Sequence, residues 1–141
     1  MTTVPIYQSA LDRGLSIIPL PPREKGCRLP AWHEKAVNSA SIMEGLTDYN
    51  YGVVADDQHC VLDIDNPELF HNEIGVKLPA TYTVGTSRGL HLYFRHTERS
   101  RKLGNKGAGI FDFQAERKYV VGEGSTHPSG TVYTCIDFRD C

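Results

Sequence analysis

Alternation of apolar and polar positions is the strongest signal in this chain. In Leu90-His91-Leu92-Tyr93-Phe94-Arg95, the residues Leu90, Leu92 and Phe94 oppose His91, Tyr93 and Arg95. That period of two is the mark of a half-buried strand. Ile110-Phe111-Asp112-Phe113-Gln114 repeats it, with Phe111 and Phe113 on one face and Asp112 on the other. A third stretch, Cys60 to Asp65, sets Leu62 and Ile64 against Asp63 and Asp65. Side chains two apart in a strand share a face, so the two carboxylates stand side by side, about 6–7 Å apart at the backbone.

The remaining elements follow from shorter signals. Thr3 and Pro5 open a helical pattern through Ile6, Ala10 and Leu11 that stops at Gly14, a residue type suited to a helix C-terminus. Leu15 to Leu20 reads as a short apolar strand, after which Pro21 and Pro22 force an extended path. Residues 23–38 read as a loop carrying Lys25, Arg28 and Trp32, with Trp32 as a core anchor. Ser41-Ile-Met-Glu44 has the spacing of a capping box and predicts a short helix. Tyr51 to Ala55 reads as a strand that turns at Asp56-Asp57 and pairs as a hairpin with the Asp63 strand. Asn66-Pro67-Glu68 combines an N-cap, an N1 proline and a first-turn acid, predicting a helix to about Gly75. Thr81 to Val84, Lys118 to Val121 and Thr131 to Ile136 read as strands, and Ser100 to Gly109 as a polar loop with three glycines. Strands outnumber substantial helices about four to one, which predicts an α+β fold with mostly antiparallel sheets and a few short helices.

Chemistry enters at the polar faces. Asp63 with Asp65, His91 and Asp112 each face away from their strand's apolar residues. A lone Asp-x-Asp is usually a solvated strand edge, but Val61, Leu62 and Ile64 make this one an electrostatic liability in an apolar setting. A divalent cation would relieve it, and oxygen ligands suit Mg²⁺ or Mn²⁺. Three carboxylates can hold two ions, an arrangement suited to phosphoryl transfer. Ser87-Arg88-Gly89 supplies phosphate-binding side chains beside a glycine. Gly104-Asn-Lys-Gly-Ala-Gly has no Gly-Lys-Ser/Thr and so is not a Walker A loop.

Bulk properties narrow the class without selecting a function. The 141 residues suit one domain spanning 1–141, and no apolar run approaches the length of a membrane span. The start, Met1 to Pro5, lacks a leader-peptide pattern. Cys27, Cys60, Cys135 and Cys141 form no C-x-x-C pair, which points away from zinc and towards reduced thiols in a cytoplasmic protein. The net charge of −2 is uninformative, but residues 86–118 hold eight Lys/Arg against three Asp/Glu. A basic stretch beside an acidic site would suit a polyanion handled through metal ions; the plainer reading is a solvated basic loop.

Taken in order, Asn50-Tyr-Gly52, Val61-Leu-Asp63-Ile-Asp65, Thr86-Ser-Arg-Gly-Leu-His91-Leu-Tyr-Phe, Phe111-Asp112-Phe, Lys118-Tyr-Val-Val and Gly124-Ser125-Thr-His127-Pro-Ser-Gly130-Thr-Val-Tyr133 resemble the bifunctional primase–polymerase domain of the archaeo-eukaryotic primase superfamily. The resemblance covers nearly the whole chain. It implies a primase–polymerase core with an RRM-like element. It further implies a DNA primase/polymerase that joins nucleotides on a single-stranded DNA template and releases pyrophosphate. By resemblance, Asp63, Asp65 and Asp112 bind two Mg²⁺ or Mn²⁺ ions, and Asp63, Asp65, His91 and Asp112 form the catalytic set. Ser87, Arg88 and His91 contact the triphosphate of a dNTP or NTP, with Lys118 and Ser125 as lesser contacts.

Three features depart from the family pattern. Arg117-Lys118 stands where a glycine pair is common. Residues 92–111 contain no cysteine, so no zinc stem is expected and extension is better supported than priming. No helical accessory domain or helicase follows, so the chain is expected to be either a minimal core or part of a larger replication protein. Two alternatives remain: a non-catalytic nucleotide- or nucleic-acid-binding module of the same fold, and a metal-dependent phosphoesterase.

Overall fold

A computed structural model describes residues 3–141; Met1 and Thr2, on which part of the leader-peptide expectation rests, lie outside it. In chain order the elements are α1 (Gln8–Asp12), β1 (Ser16–Leu20), α2 (Trp32–Lys35), a 3₁₀ turn (Ala40–Met43), β2 (Asn50–Ala55), β3 (His59–Ile64), α3 (Pro67–Ile74), β4 (Thr83–Gly85), β5 (Leu90–Arg95), α4 (Glu98–Leu103), β6 (Lys106–Gly107), β7 (Phe111–Gln114), β8 (Lys118–Val121) and β9 (Thr134–Asp137). Strand outweighs helix, 31% to 19%, and every ladder is antiparallel, so the α+β expectation holds.

Two sheets divide the strands. A small sheet runs β1-β2-β8 and a large one β6-β7-β3-β5-β4-β9. The main core gathers Leu15, Ile17, Ile18, Leu20, Tyr51, Val53 and Val120 with Val61, Tyr82, Val84 and Tyr93. These residues come from both sheets, so the core lies between them. A second, smaller cluster covers the large sheet's other face, where Ile64 and Leu92 pack with Phe70 of α3. Strand β3 is therefore buried on both faces for much of its length. Leu62 and Ile64 face the smaller cluster, and Val61 faces the main core.

Local rules explain α3 well. The Leu69 N–H donates to Asn66 Oδ1 at 3.0 Å, Pro67 opens the helix, and Gly75 closes it at φ 72°, a left-handed conformation that favours glycine. Trp32 is half-buried and packs edge-on to Tyr119, with ring centroids 4.9 Å apart.

Three local expectations are corrected. Strands β2 and β3 do not form a hairpin but join different sheets. All six residues of β2 are buried, so it suits the centre of a sheet with cover on both faces. Asp56 makes the crossing: its Oδ1 accepts the Gln58 and His59 N–H groups, and its Oδ2 accepts the Ser16 hydroxyl. Residues 100–109 are not all loop. Thr97 and Ser100 cap each other reciprocally and start α4, and Lys106–Gly107 adds an edge strand. Finally, Ser39 rather than Ser41 caps the segment before β2, and that segment is a 3₁₀ turn.

Candidate functional site

The site begins with ladder register. Asp63 on β3 pairs with His91 on β5 and with Asp112 on β7. Directly opposed residues in antiparallel strands share a face. Asp112, Asp63 and His91 therefore form one row across three strands, on the face that looks towards the small sheet. The next row inward is Gln114, Val61 and Tyr93, so polar side chains occur where the apolar core gives out. Asp65 lies one residue beyond β3 and is exposed.

A cleft of about 150 Å³ opens over this row, lined by Asp63, Asp65, Ser87, Arg88, His91 and, from the facing side, Lys25, Tyr119, His127 and Tyr133. The Ser87-Arg88 turn is held there by a close approach. A Cβ on Gly89 would stand 1.8 Å from the Ile64 carbonyl oxygen, so only glycine lets the turn lie against the end of β3. Thr86 locks it, since its hydroxyl accepts the Gly89 N–H at 2.8 Å while its own N–H donates to the Gly89 carbonyl at 2.9 Å.

His91 is buried, with Nε2 3.4 Å from Asp63 Oδ1 and its ring stacked on Tyr133 at 6.1 Å between centroids. His91 Nδ1 has no partner among the described residues. Tyr133 in turn faces the His127 ring at 6.2 Å. Burial, with a smaller contribution from the Asp63 charge, holds the Tyr133 phenol above its ordinary range, so it stays protonated near neutrality.

The structure gathers some sequence-derived candidates and separates others. Asp63, Asp65, Ser87, Arg88 and His91 meet at the cleft. Asp112 shares the row but leans the other way: its Oδ1 lies 3.0 Å from where a Cβ on Gly107 would stand, over the edge strand β6. Among the described residues no three His, Cys, Asp or Glu side chains stand close enough to hold one ion as they are. Lys118 is exposed at the far end of β8, paired with Ala55. Ser125 is fully buried, and its hydroxyl accepts the Tyr51 N–H at 3.2 Å. The basic stretch is largely not at the cleft either. Of it, Arg88 lines the cleft, whereas Arg101 of α4 donates to the Asp57 carbonyl at the opposite end of β3. A larger cavity of about 330 Å³ opens at that opposite end, lined by His33, Val54, His96 and Ala115 among others, and holds none of the candidate residues. Sequence reasoning gave no role to Lys25, Tyr119, His127 or Tyr133, because loops with no periodicity deliver three of them.

A two-sheet α+β domain with carboxylates on one wall of its cleft and cationic and hydroxyl side chains around them is the class of protein that the fold and the cleft define. Within that class the assignment is specific: residues 7–140 match the family described as bifunctional DNA primase/polymerase, N-terminal, and the chain belongs to that family. No curated protein matches the chain. All four cysteines are free, and among the described residues no helix is long and apolar enough to cross a membrane.

Proposed function

We propose that this chain is a divalent-metal-dependent nucleotidyltransferase that extends a DNA strand on a single-stranded template, using a nucleoside triphosphate and releasing pyrophosphate. One observation carries the reading: Asp63 and His91, paired across adjacent strands, line the same cleft as Asp65, Ser87 and Arg88. The donor set fits the metal. Asp63 and Asp65 offer hard oxygens at the cleft, and Asp112, in the same row, would join them by turning away from Gly107 about its own side-chain bonds. These three would hold Mg²⁺ or Mn²⁺, which when bound supplies charge neutralisation between carboxylates and phosphates and lowers the pKa of the attacking hydroxyl.

The chain's own residues orient and neutralise. Arg88 offers a planar fork of donors to phosphate oxygens, and Ser87 adds a hydroxyl. His91 is held between Asp63 and Tyr133, which fixes its ring at the cleft. Such prepositioned groups stabilise transition-state charge without reorganising, which is where phosphoryl transfer gains most. A growing 3′-hydroxyl attacks the α-phosphate, the bond to the β-phosphate bridging oxygen breaks, and pyrophosphate leaves with that oxygen.

The lean of Asp112 towards β6 favours the second reading, a non-catalytic nucleotide-binding module. Product analysis separates the two. With a primed single-stranded template, dNTPs or NTPs and Mn²⁺, the proposal expects one pyrophosphate per nucleotide added. Orthophosphate without strand growth would indicate a phosphoesterase, and nucleotide binding without any product would indicate the module.

A further inference from the structure

Behind the cleft lies a buried amide that the candidate chemistry does not use. Asn50, at the start of β2, is 3% exposed. Its Nδ2 donates to the Glu24 carbonyl at 3.1 Å and to the Thr126 carbonyl at 2.8 Å, and its Oδ1 accepts the Thr126 N–H at 2.9 Å. Three of its four hydrogen-bonding positions are thus engaged, on two separate loops. Each tie falls one residue before a side chain that lines the cleft, Lys25 in one loop and His127 in the other. Tyr119 adds a second clamp: its hydroxyl donates to the Lys25 carbonyl at 2.7 Å and accepts the Cys27 N–H at 3.0 Å.

The two side chains suit one ligand. The carboxylate nearest Lys25 in sequence, Glu24, is engaged by Arg28 at 2.8 Å. His127 has its tautomer set by its own loop. The Ser129 N–H donates to His127 Nδ1 at 3.0 Å, so Nδ1 is an acceptor and Nε2 carries the proton. An ammonium and an imidazole N–H then line the wall facing Arg88, and both are donors.

We infer that Asn50 is a positioning residue that sets Lys25 and His127 in register as a second polyphosphate-binding wall, opposite Ser87 and Arg88. This rests on the nucleotide reading of the cleft. A nucleoside triphosphate is gripped from both sides, the carboxylate side through Arg88 and the small-sheet side through Lys25 and the His127 Nε2–H.

Calorimetry with dATP and Mg²⁺ tests it, with inorganic tripolyphosphate as a probe lacking base and sugar, and with primer–template affinity measured in parallel. Lys25→Ala and His127→Asn each weaken dATP and tripolyphosphate binding about ten-fold or more, the loss of one charge-assisted hydrogen bond, while primer–template affinity holds. His127→Gln, whose amide extends towards the Nε2 position, loses less than His127→Asn. Asn50→Ala weakens nucleotide binding in the wild-type background but not further in the Lys25→Ala/His127→Asn background, although its cost in thermal stability persists in both.

Wild-type affinity in Lys25→Ala and His127→Asn would overturn the inference and leave the cleft reading intact. An equal loss from Asn50→Ala in both backgrounds would overturn the positioning role even if both wall residues bind. A wild-type protein that binds neither dATP nor tripolyphosphate would overturn the cleft reading and this inference together.

Discussion

The two walls of the cleft are built by different means. On one, Asp63 and His91 stand on adjacent paired strands, and the ladder fixes their spacing before any side chain acts. On the other, Lys25 and His127 ride on loops whose places depend on side-chain ties from Asn50 and Tyr119. The ladder wall inherits the stability of two cores. The loop wall inherits the stability of a handful of hydrogen bonds, each contributing about 1 kcal/mol. The difference predicts where the site is robust and where it can be tuned: under the proposed function, the carboxylates that would hold metal stand on the rigid wall, and the nucleotide contacts added by Lys25 and His127 stand on the adjustable one.

The largest effect should come from removing chemistry while sparing the ladder. Asp63→Ala is expected to lower turnover at least about a thousand-fold, the loss of roughly 4 kcal/mol of transition-state charge stabilisation, with the thermal midpoint within about 3 °C of wild type. Circular dichroism melts and single-turnover assays check both halves. Next comes the seam where the Ser87-Arg88 turn meets the ladder. Gly89→Ala forces a methyl against the Ile64 carbonyl and is expected to cost about 3 kcal/mol, with nucleotide affinity falling alongside. Urea denaturation reads the first and calorimetry the second; an unchanged midpoint would mean that the turn is not held by this contact.

A smaller effect concerns the far end of the ladder wall. His59 is buried, neither ring nitrogen has a partner among the described residues, and burial lowers its pKa. Its native pKa lies below the unfolded value of about 6.5, so the unfolded state binds the proton first. The stability His59 contributes as a neutral group is complete above that pH. It is lost as pH falls below it, by up to about 1.4 kcal/mol per pH unit, until the native state also protonates. His59→Leu should flatten that slope in pH-dependent denaturation, and an unaltered slope would assign the acid sensitivity to other groups. Smallest is Tyr119→Phe, which removes both hydroxyl ties to the 25–27 loop. About 1 kcal/mol of stability and a few-fold of nucleotide affinity should go, with turnover at saturating nucleotide nearly unaltered.

The same contrast governs what the sequence revealed. Alternation in 60–65, 90–95 and 110–114 located Asp63, His91 and Asp112 on one kind of face, and register then aligned them. The α3 boundaries were equally legible, because Asn66, Pro67 and Gly75 act through local rules. What escaped was non-local. That β2 and β3 part into different sheets depends on which surfaces meet, and the alternation within each strand is silent on that. Reciprocal capping by Thr97 and Ser100 was masked by the glycines that follow. Ser125 looked like a ligand-binding hydroxyl, yet β2 takes it. Asn50 stood only as part of the family resemblance, and only the folded chain shows Glu24 and Thr126 converging on it.

The central claim is that the carboxylate row makes this cleft a metal-dependent polymerase site. Primer extension on a single-stranded DNA template, with Mg²⁺ or Mn²⁺, labelled dNTPs or NTPs, and Asp63→Ala as the control, tests it most directly. The account predicts template-directed extension that stops on chelation and is lost in Asp63→Ala. Extension that persists in a folded Asp63→Ala protein, or a wild-type protein that binds nucleotide and primed template yet adds nothing with either metal, would contradict it.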